Sequence, residues 1–266
     1  MDYLVLGPFS AHLNQHDLTP SAPKLRRVLA TLVLNAGETV PTRTLMRELW
    51  GDEPPSSSVT TLQTYILNLR KWLITSTGRT TEEVARSSLV TGPGGYRLVL
   101  DGAIDILRFQ KFALLGQEAL AHGDDTLGVR RLSDALQIWR GSALSDLSAG
   151  VVLESWKRYA EESRLATVDH LVSAKFRLGM HREVLTDLAG ITPMNPTHEN
   201  LHVHLMRALY LVGRRAQALE VYRSLHERLV QDLGIEPDRL AQQLHSAILR
   251  PESASSVATR ARNCPK

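Results

Sequence analysis

Ala174, Gly179 and Leu185 are answered 34 residues later by Ala208, Gly213 and Leu219, inside the matching stretches AKFRLGMHREVL and ALYLVGRRAQAL. A unit of helix, glycine turn and helix constrains a chain strongly, because one pair cannot bury its apolar face and must stack on a neighbour. The sequence from Asp105 to Arg250 reads as almost wholly helical, with glycines at helix ends and a concave surface suited to peptides or other domains. A weaker copy, ALAHGDDTLGVRRL, surrounds Gly123, but its distance to Gly179 is not a multiple of the period. The array is irregular.

The period of 34 residues is the tetratricopeptide signature. Before Leu100 the texture changes. Tyr3 to Phe9 is rich in β-formers, and Pro23 to Asn35 carries Leu25, Val28, Leu29, Leu32 and Val33 at helical spacing. A short helix is expected from Thr42 to Trp50, after which GDEPPSSS breaks the chain and a third helix starts with Ser58 as N-cap. In that helix Val59, Leu62, Ile66, Leu69 and Leu73 step by three and four and form one apolar stripe. The opposite face is Thr60, Thr61, Thr64, Asn68 and Lys71, with Gln63, Tyr65 and Arg70 at its edges. Ser88 to Thr91 and Tyr96 to Leu100 then read as strands joined by GPGG.

Three helices and a hairpin make a winged helix. The expected fold is mainly α with a small β component: an N-terminal winged helix-turn-helix over 1–100 and an all-α tetratricopeptide-like domain over 101–250. The remainder, PESASSVATRARNCPK (251–266), has little to bury and is expected to be disordered. A chain of 266 residues suits two such cores.

Composition narrows the function classes. No run approaches the roughly 20 apolar residues of a membrane span, and MDYLVLGPF has no basic segment before its apolar run, so a soluble, unexported protein is expected. A single cysteine, Cys264, allows neither an internal disulfide nor a multi-cysteine zinc site, which fits a reducing cytoplasm. The net charge of +3 matters less than its placement. Residues 1–100 hold ten Lys/Arg against eight Asp/Glu, while 101–250 hold eighteen against nineteen. Acids are missing from Leu18 to Gly37, which contains Lys24, Arg26 and Arg27, and from Pro54 to Thr81, which contains Arg70, Lys71 and Arg79. Basic stretches without acids are the pattern expected where phosphates are approached.

The polar face of the third helix carries the main functional signal. A helix fits the major groove of B-DNA and a hairpin reaches the neighbouring backbone or minor groove. Thr and Asn are short enough to bring the backbone close to bases, Asn pairs with adenine through two hydrogen bonds, and Arg70 and Lys71 supply phosphate charge. GPGG lacks the Lys-Ser/Thr ending of a phosphate loop and reads as a hairpin tip. His198, His202 and His204 share one helix, but THENLHVH lacks a carboxylate-histidine motif such as H-E-x-x-H, so they read as ordinary helix residues. No G-x-S-x-G frames a serine, and the paired acids Glu161–Glu162 and Asp124–Asp125 read as solvated. No enzyme is expected, with no catalytic residue, metal or cofactor.

Longer motifs point to a family. PKLRRVLATLVLNAGETV, LMRELWGDEPPSSSVTTLQTYILNLRKWL and LVTGPGGYRL resemble the DNA-binding region of the Streptomyces antibiotic regulatory protein (SARP) family. ALQIWRGSALSDL and ALEVYRSLHERLVQDLGIEPDRLAQQLHSAIL resemble its bacterial transcriptional activation domain. The resemblance runs from Leu4 to Leu249 and implies an OmpR-type winged helix acting as a transcription activator of secondary-metabolite genes. It implies partners as well: double-stranded promoter DNA with direct repeats, bound as a side-by-side homodimer, and RNA polymerase holoenzyme including its sigma factor. A nucleoid-associated cytoplasmic location follows.

By the same resemblance Thr60, Thr61, Tyr65, Asn68 and Arg70 enter the major groove, and Trp50 and Tyr96 approach phosphates. The loop Gly51, Asp52, Glu53, Pro54, Pro55, Ser56, Ser57 matches the polymerase-facing loop. One position departs: many relatives have Arg where this chain has Gly92, leaving Arg97, Arg86 or Arg79 to supply charge at the wing. The rival reading is a tetratricopeptide-type adaptor whose winged helix binds protein rather than DNA.

Overall fold

The computed structural model describes residues 1–250. The segment 251–266, expected to be a disordered tail, lies outside the described residues. Packing divides the chain into two compact units, Met1–Gly116 with Arg131–Thr167, and Gln117–Arg130 with the described residues from Val168 onward. The first unit thus takes in more than the winged helix, since residues well beyond Leu100 pack into the same core.

The first unit opens with three antiparallel strands, β1 (Asp2–Leu4), β2 (Ser10–Leu13) and β3 (His16–Asp17), in that spatial order. Asn14 and Gln15 both adopt positive φ between β2 and β3, the backbone of a two-residue hairpin turn. The β-forming text from Tyr3 to Phe9 is a strand only as far as Leu4. Gly7 and Pro8 interrupt it, and the amides of Val5 and Leu6 bond instead to the Asp105 carboxylate at 2.8 and 3.0 Å. The Val5 and Leu6 carbonyls accept from the Leu144 and Arg140 amides.

Helix α1 (Pro23–Leu34) begins with proline in its first turn, where a missing N–H costs nothing. β4 (Thr39–Pro41), α2 (Thr42–Trp50) and α3 (Ser58–Thr77) follow. Ser58 is not the N-cap: it is the first helical residue, is buried, and no side chain caps this end. After α3 come a turn of helix, α4 (Thr81–Glu83), and a π-helical turn over Val84–Ser88. Thr80 and Glu83 form a reciprocal capping box at α4. β5 (Leu89–Gly92) and β6 (Gly95–Leu98) then make the wing, with β6 central between β4 and β5. The third strand, β4, is paired through Thr39↔Arg97 and Val40↔Tyr96.

The remaining helices are α5 (Asp105–Ala121), α6 (Asp125–Leu136), α7 (Val151–Arg177), α8 (His181–Ile191), α9 (Glu199–Leu211), α10 (Arg215–Arg228) and α11 (Arg239–Leu249), with a π-helical turn at Leu229–Leu233. Within the first unit, buried Glu48 of α2 accepts backbone N–H groups from Gly150, Val152 and Leu153 at the start of α7. Arg27 of α1 pairs with the same carboxylate at 3.3 Å.

In the second unit the repeat has a common backbone ending. Gly179 and Gly213 take φ of 75° and 82°, a conformation in which a Cβ is disfavoured. The next residue in each case bonds back five positions, Met180 N–H to Lys175 O and Arg214 N–H to Leu209 O. Asp124 N–H to Ala119 O completes a third copy after Gly123. Each satisfies a helix-end carbonyl that would otherwise be orphaned. α9 packs against α8, α10 and α11, with Met206, Leu209, Ala218 and Ile248 forming one buried cluster. Among the described residues no helix is long and apolar enough to cross a membrane.

Candidate nucleic-acid interface

Helix α3 is anchored on one side and open on the other. Leu62, Ile66, Leu69 and Leu73 are buried in the first unit's core, as their spacing predicts, and α3 packs there against α1 and α2. Val59 departs from the expected stripe. It sits in the first turn and is 48% exposed, because the core-facing position one turn before Leu62 is taken by buried Ser58 instead.

The outward face carries Thr60, Gln63, Thr64, Asn68 and Lys71, all exposed, with Thr61 and Tyr65 half-buried at its border. The hydroxyls of Thr61 and Thr64 donate to the carbonyls one turn back, Ser57 O at 2.9 Å and Thr60 O at 3.0 Å. Their protons are therefore directed into the helix, leaving oxygen lone pairs and a methyl group for anything docking on this face. The Asn68 amide and the Lys71 ammonium have no hydrogen bond or ion pair among the described residues.

Arg70 is placed differently from the expected groove contact. Its Nε and Nη2 donate to the Leu89 carbonyl at 3.1 and 2.9 Å, and Nη2 also donates to Thr91 Oγ1 at 2.8 Å. The guanidinium fork thus ties α3 to the first strand of the wing. Trp50 and Tyr96 are half-buried and lean on the core, with Lys24 Nζ 5.8 Å from the centre of the Trp50 ring. Arg97 lies exposed on β6 and makes no ion pair among the described residues.

Two arginines that precede the wing are engaged. Arg79 donates to Ser88 Oγ at 2.8 Å and to Asp101 at 2.5 Å, and Arg86 pairs with Glu82 at 3.0 Å. At Gly92 an added Cβ would meet Thr39 Oγ1 at 3.5 Å, an ordinary contact, whereas on Gly95 it would collide with the Val40 carbonyl. The glycine at 95 is needed for β6 to approach β4. The one at 92 is not.

Between α2 and α3, Gly51 ends α2 with φ of 68°, and Asp52, Glu53, Pro54, Pro55, Ser56 and Ser57 are all exposed. Asp52 faces Arg47 at 3.6 Å. Two arginines that sequence reasoning passed over, Arg43 and Arg47, are exposed on α2. It also passed over Leu67, which is 51% exposed on the outward face of α3. The helical period offered that signal, since Leu67 is one turn from both Gln63 and Lys71.

The remaining candidates have local duties. His198 Nδ1 accepts from Leu201 N–H, His202 Nδ1 bonds to His198 O, and His204 Nε2 meets Asp169 at 3.2 Å. Among the described residues no three His, Cys, Asp or Glu are grouped to hold a metal. Asp105 lines an open cleft of about 600 Å³ with Arg108, Phe112 and Arg140. Burial raises its pKa against the opposing pull of the Val5 and Leu6 amides. Both its oxygens accept those amides, which gives the buried carboxyl a structural task.

Two family models match the chain: bacterial transcriptional activator domain over residues 104–249, and transcriptional regulatory protein, C terminal, over 16–88. Regulatory protein DnrI of Streptomyces peucetius is 41% identical over 95% of this chain and 93% of its own length. Transcriptional regulator RedD of Streptomyces coelicolor is 34% identical, over 95% of this chain and 71% of RedD. Regulatory protein AfsR of the same organism is 32% identical over 94% of this chain, which spans only 24% of that longer protein. Among solved structures, Mycobacterium tuberculosis EmbR in complex with a low-affinity phosphopeptide superposes with a TM-score of 0.78. It has 32% identity and covers 98% of this chain and 69% of EmbR.

Proposed function

The chain belongs to the SARP family of transcriptional regulators, and from that premise we propose that it activates a secondary-metabolite gene cluster by sequence-specific DNA binding. Residues 1–100 form the DNA-binding domain and 101–250 the activation domain. α3 enters the major groove with Thr60, Thr61, Thr64, Tyr65 and Asn68, while Lys71, Trp50, Tyr96 and Arg97 lie along phosphates. Arg70 serves the same interface by holding the wing to α3. The protein binds direct repeats in promoter DNA as a homodimer. It recruits RNA polymerase holoenzyme, sigma factor included, through the loop Gly51–Ser57.

The observation that carries this reading is the outward face of α3. Asn68 and Lys71 stand there without hydrogen-bond or ion-pair partners among the described residues, on a helix whose opposite side is locked into the core. A side chain amide and an ammonium left free on a rigid helix match base-edge and phosphate recognition respectively. The acidic, proline-stiffened loop is exposed beside it and suits a basic protein partner.

The test is footprinting and electrophoretic mobility shift of the purified chain on promoter fragments adjacent to its own gene. A protected pair of direct repeats, with affinity falling steeply as salt rises, is expected. Binding that does not distinguish promoter from random DNA overturns sequence-specific recognition. No binding to any duplex favours the protein-adaptor alternative.

A further inference from the structure

On the reading that α3 enters the major groove, we propose that Leu67 is a specificity-determining residue that reads a thymine through its C5-methyl group. Leu67 is 51% exposed at the middle of the outward face, flanked by Gln63 and Lys71 one turn to either side and by Thr64 and Asn68. Leu62, Ile66, Leu69 and Leu73 of the same helix are buried, and its other exposed aliphatic residue, Val59, lies two turns away in the first turn of the helix.

The polar neighbours sharpen the inference. Thr64 directs its hydroxyl proton to Thr60 O at 3.0 Å, so toward a docked duplex it offers a lone pair and its own methyl rather than a donor. Leu67 and Thr64 are three residues apart and share a face. Together they place aliphatic carbon at the centre of a surface whose edges carry the Asn68 amide and the Lys71 charge. In the major groove the only aliphatic group a standard base pair presents is the thymine methyl, and apolar side chains recognise it by contact. An adenine, guanine or cytosine edge at that position would leave a polar group facing leucine without a partner.

The experiment removes that methyl and nothing else. A duplex selected by the full chain from a randomised pool is resynthesised with deoxyuridine replacing thymidine at each position in turn. Affinities are measured for the wild type, Leu67→Ala and Leu67→Met. The wild type is expected to bind about fourfold more weakly when the critical methyl is lost, the weight of roughly one buried carbon. Leu67→Met keeps that difference and Leu67→Ala loses it. Equal affinity for every thymine and uracil duplex, a persisting difference in Leu67→Ala, or selected sequences without a common thymine overturns the inference while DNA binding stands. Failure to select any duplex overturns the major-groove reading itself, and this inference with it.

Discussion

Glu48 on α2 accepts the Gly150 amide at 2.5 Å, and its other oxygen takes the amides of Val152 and Leu153, so one carboxylate from the winged helix caps the start of α7. Its side chain is inaccessible to solvent and is also paired with Arg27. An acid at a helix N-terminus meets unsatisfied N–H groups and the positive end of the helix dipole. Glu48→Ala would strand those amides and leave Arg27 uncompensated. A loss of about 3–5 kcal/mol in urea-induced unfolding is expected, with Glu48→Gln recovering part of it. A loss near that of a surface substitution would show that the cap contributes little.

Asn68 and Lys71 stand close together on α3 but have different chemistry. Asn68→Ala is expected to lower affinity for the selected duplex by roughly five- to 150-fold, the value of about 1–3 kcal/mol for a good amide–base pair, with little change on random DNA. Lys71→Ala should weaken both duplexes alike and reduce the slope of log affinity against log salt by about 0.9. Mobility shifts on the two duplexes over a salt series check both. An Asn68→Ala variant that loses equally on both would remove this residue from base reading.

The Arg70 fork predicts a dynamic effect. Arg70→Lys keeps the charge but cannot grip the Leu89 carbonyl with two nitrogens, as Nε and Nη2 do here. Faster amide hydrogen exchange across Leu89–Thr91 is expected, together with weaker binding to all duplexes. Unchanged exchange would indicate that pairing with β6 alone holds the wing.

Periodicity made the helices legible. Helix α1 and, Val59 apart, the buried stripe of α3 follow directly from apolar spacing, and the 34-residue offset anticipated the shared Gly179 and Gly213 endings. Long-range polar contacts were not legible. Nothing near Glu48 in sequence announces Gly150, and the Asp105 carboxylate diverts Val5 and Leu6 from the strand that their composition suggests. β4 is too short for an alternating pattern and exists through pairing with β6. At the candidate interface the outward face of α3 was readable. That Arg70 would grip the wing was not, since a basic residue beside a candidate DNA-reading face suggests phosphate contact.

Three histidines give the second unit a pH dependence of definite sign. Burial lowers the pKa of His202, with His198 and Arg228 acting in the same direction against the His198 carbonyl and Glu199. Burial also lowers His181, aided by Arg207, and His245, aided by Arg223. Each is harder to protonate folded than unfolded, so the unfolded chain binds more protons once pH falls below its ordinary value of 6.5. The contribution to stability is complete above that value and is lost as pH falls from it toward the folded-state values. The melting temperature should therefore drop already between about pH 6.5 and 5, above the ordinary carboxylate range. His202→Gln should flatten part of that drop, and a melting temperature constant across the interval would contradict it.

Gly92 stands where the family resemblance implies an arginine, and its surroundings say what an arginine would do there. The residue has no left-handed φ to preserve, and a Cβ would rest at 3.5 Å from Thr39 Oγ1, so Gly92→Arg fits without moving β4. The nearby cations Arg79 and Arg86 are held by Asp101 and Glu82, which leaves Arg97 as the wing charge without an ion pair among the described residues. An added guanidinium at the hairpin would therefore supply a charge that is not already neutralised. If the wing lies along DNA, Gly92→Arg should tighten binding to every duplex and steepen the salt slope by about 0.9, one further phosphate neutralised. Gly95→Arg is the matched control, since the same charge three residues away collides with the Val40 carbonyl and should loosen the sheet instead. An unaltered salt slope in a folded Gly92→Arg protein would place the wing away from the phosphates and leave α3 to make the contact alone.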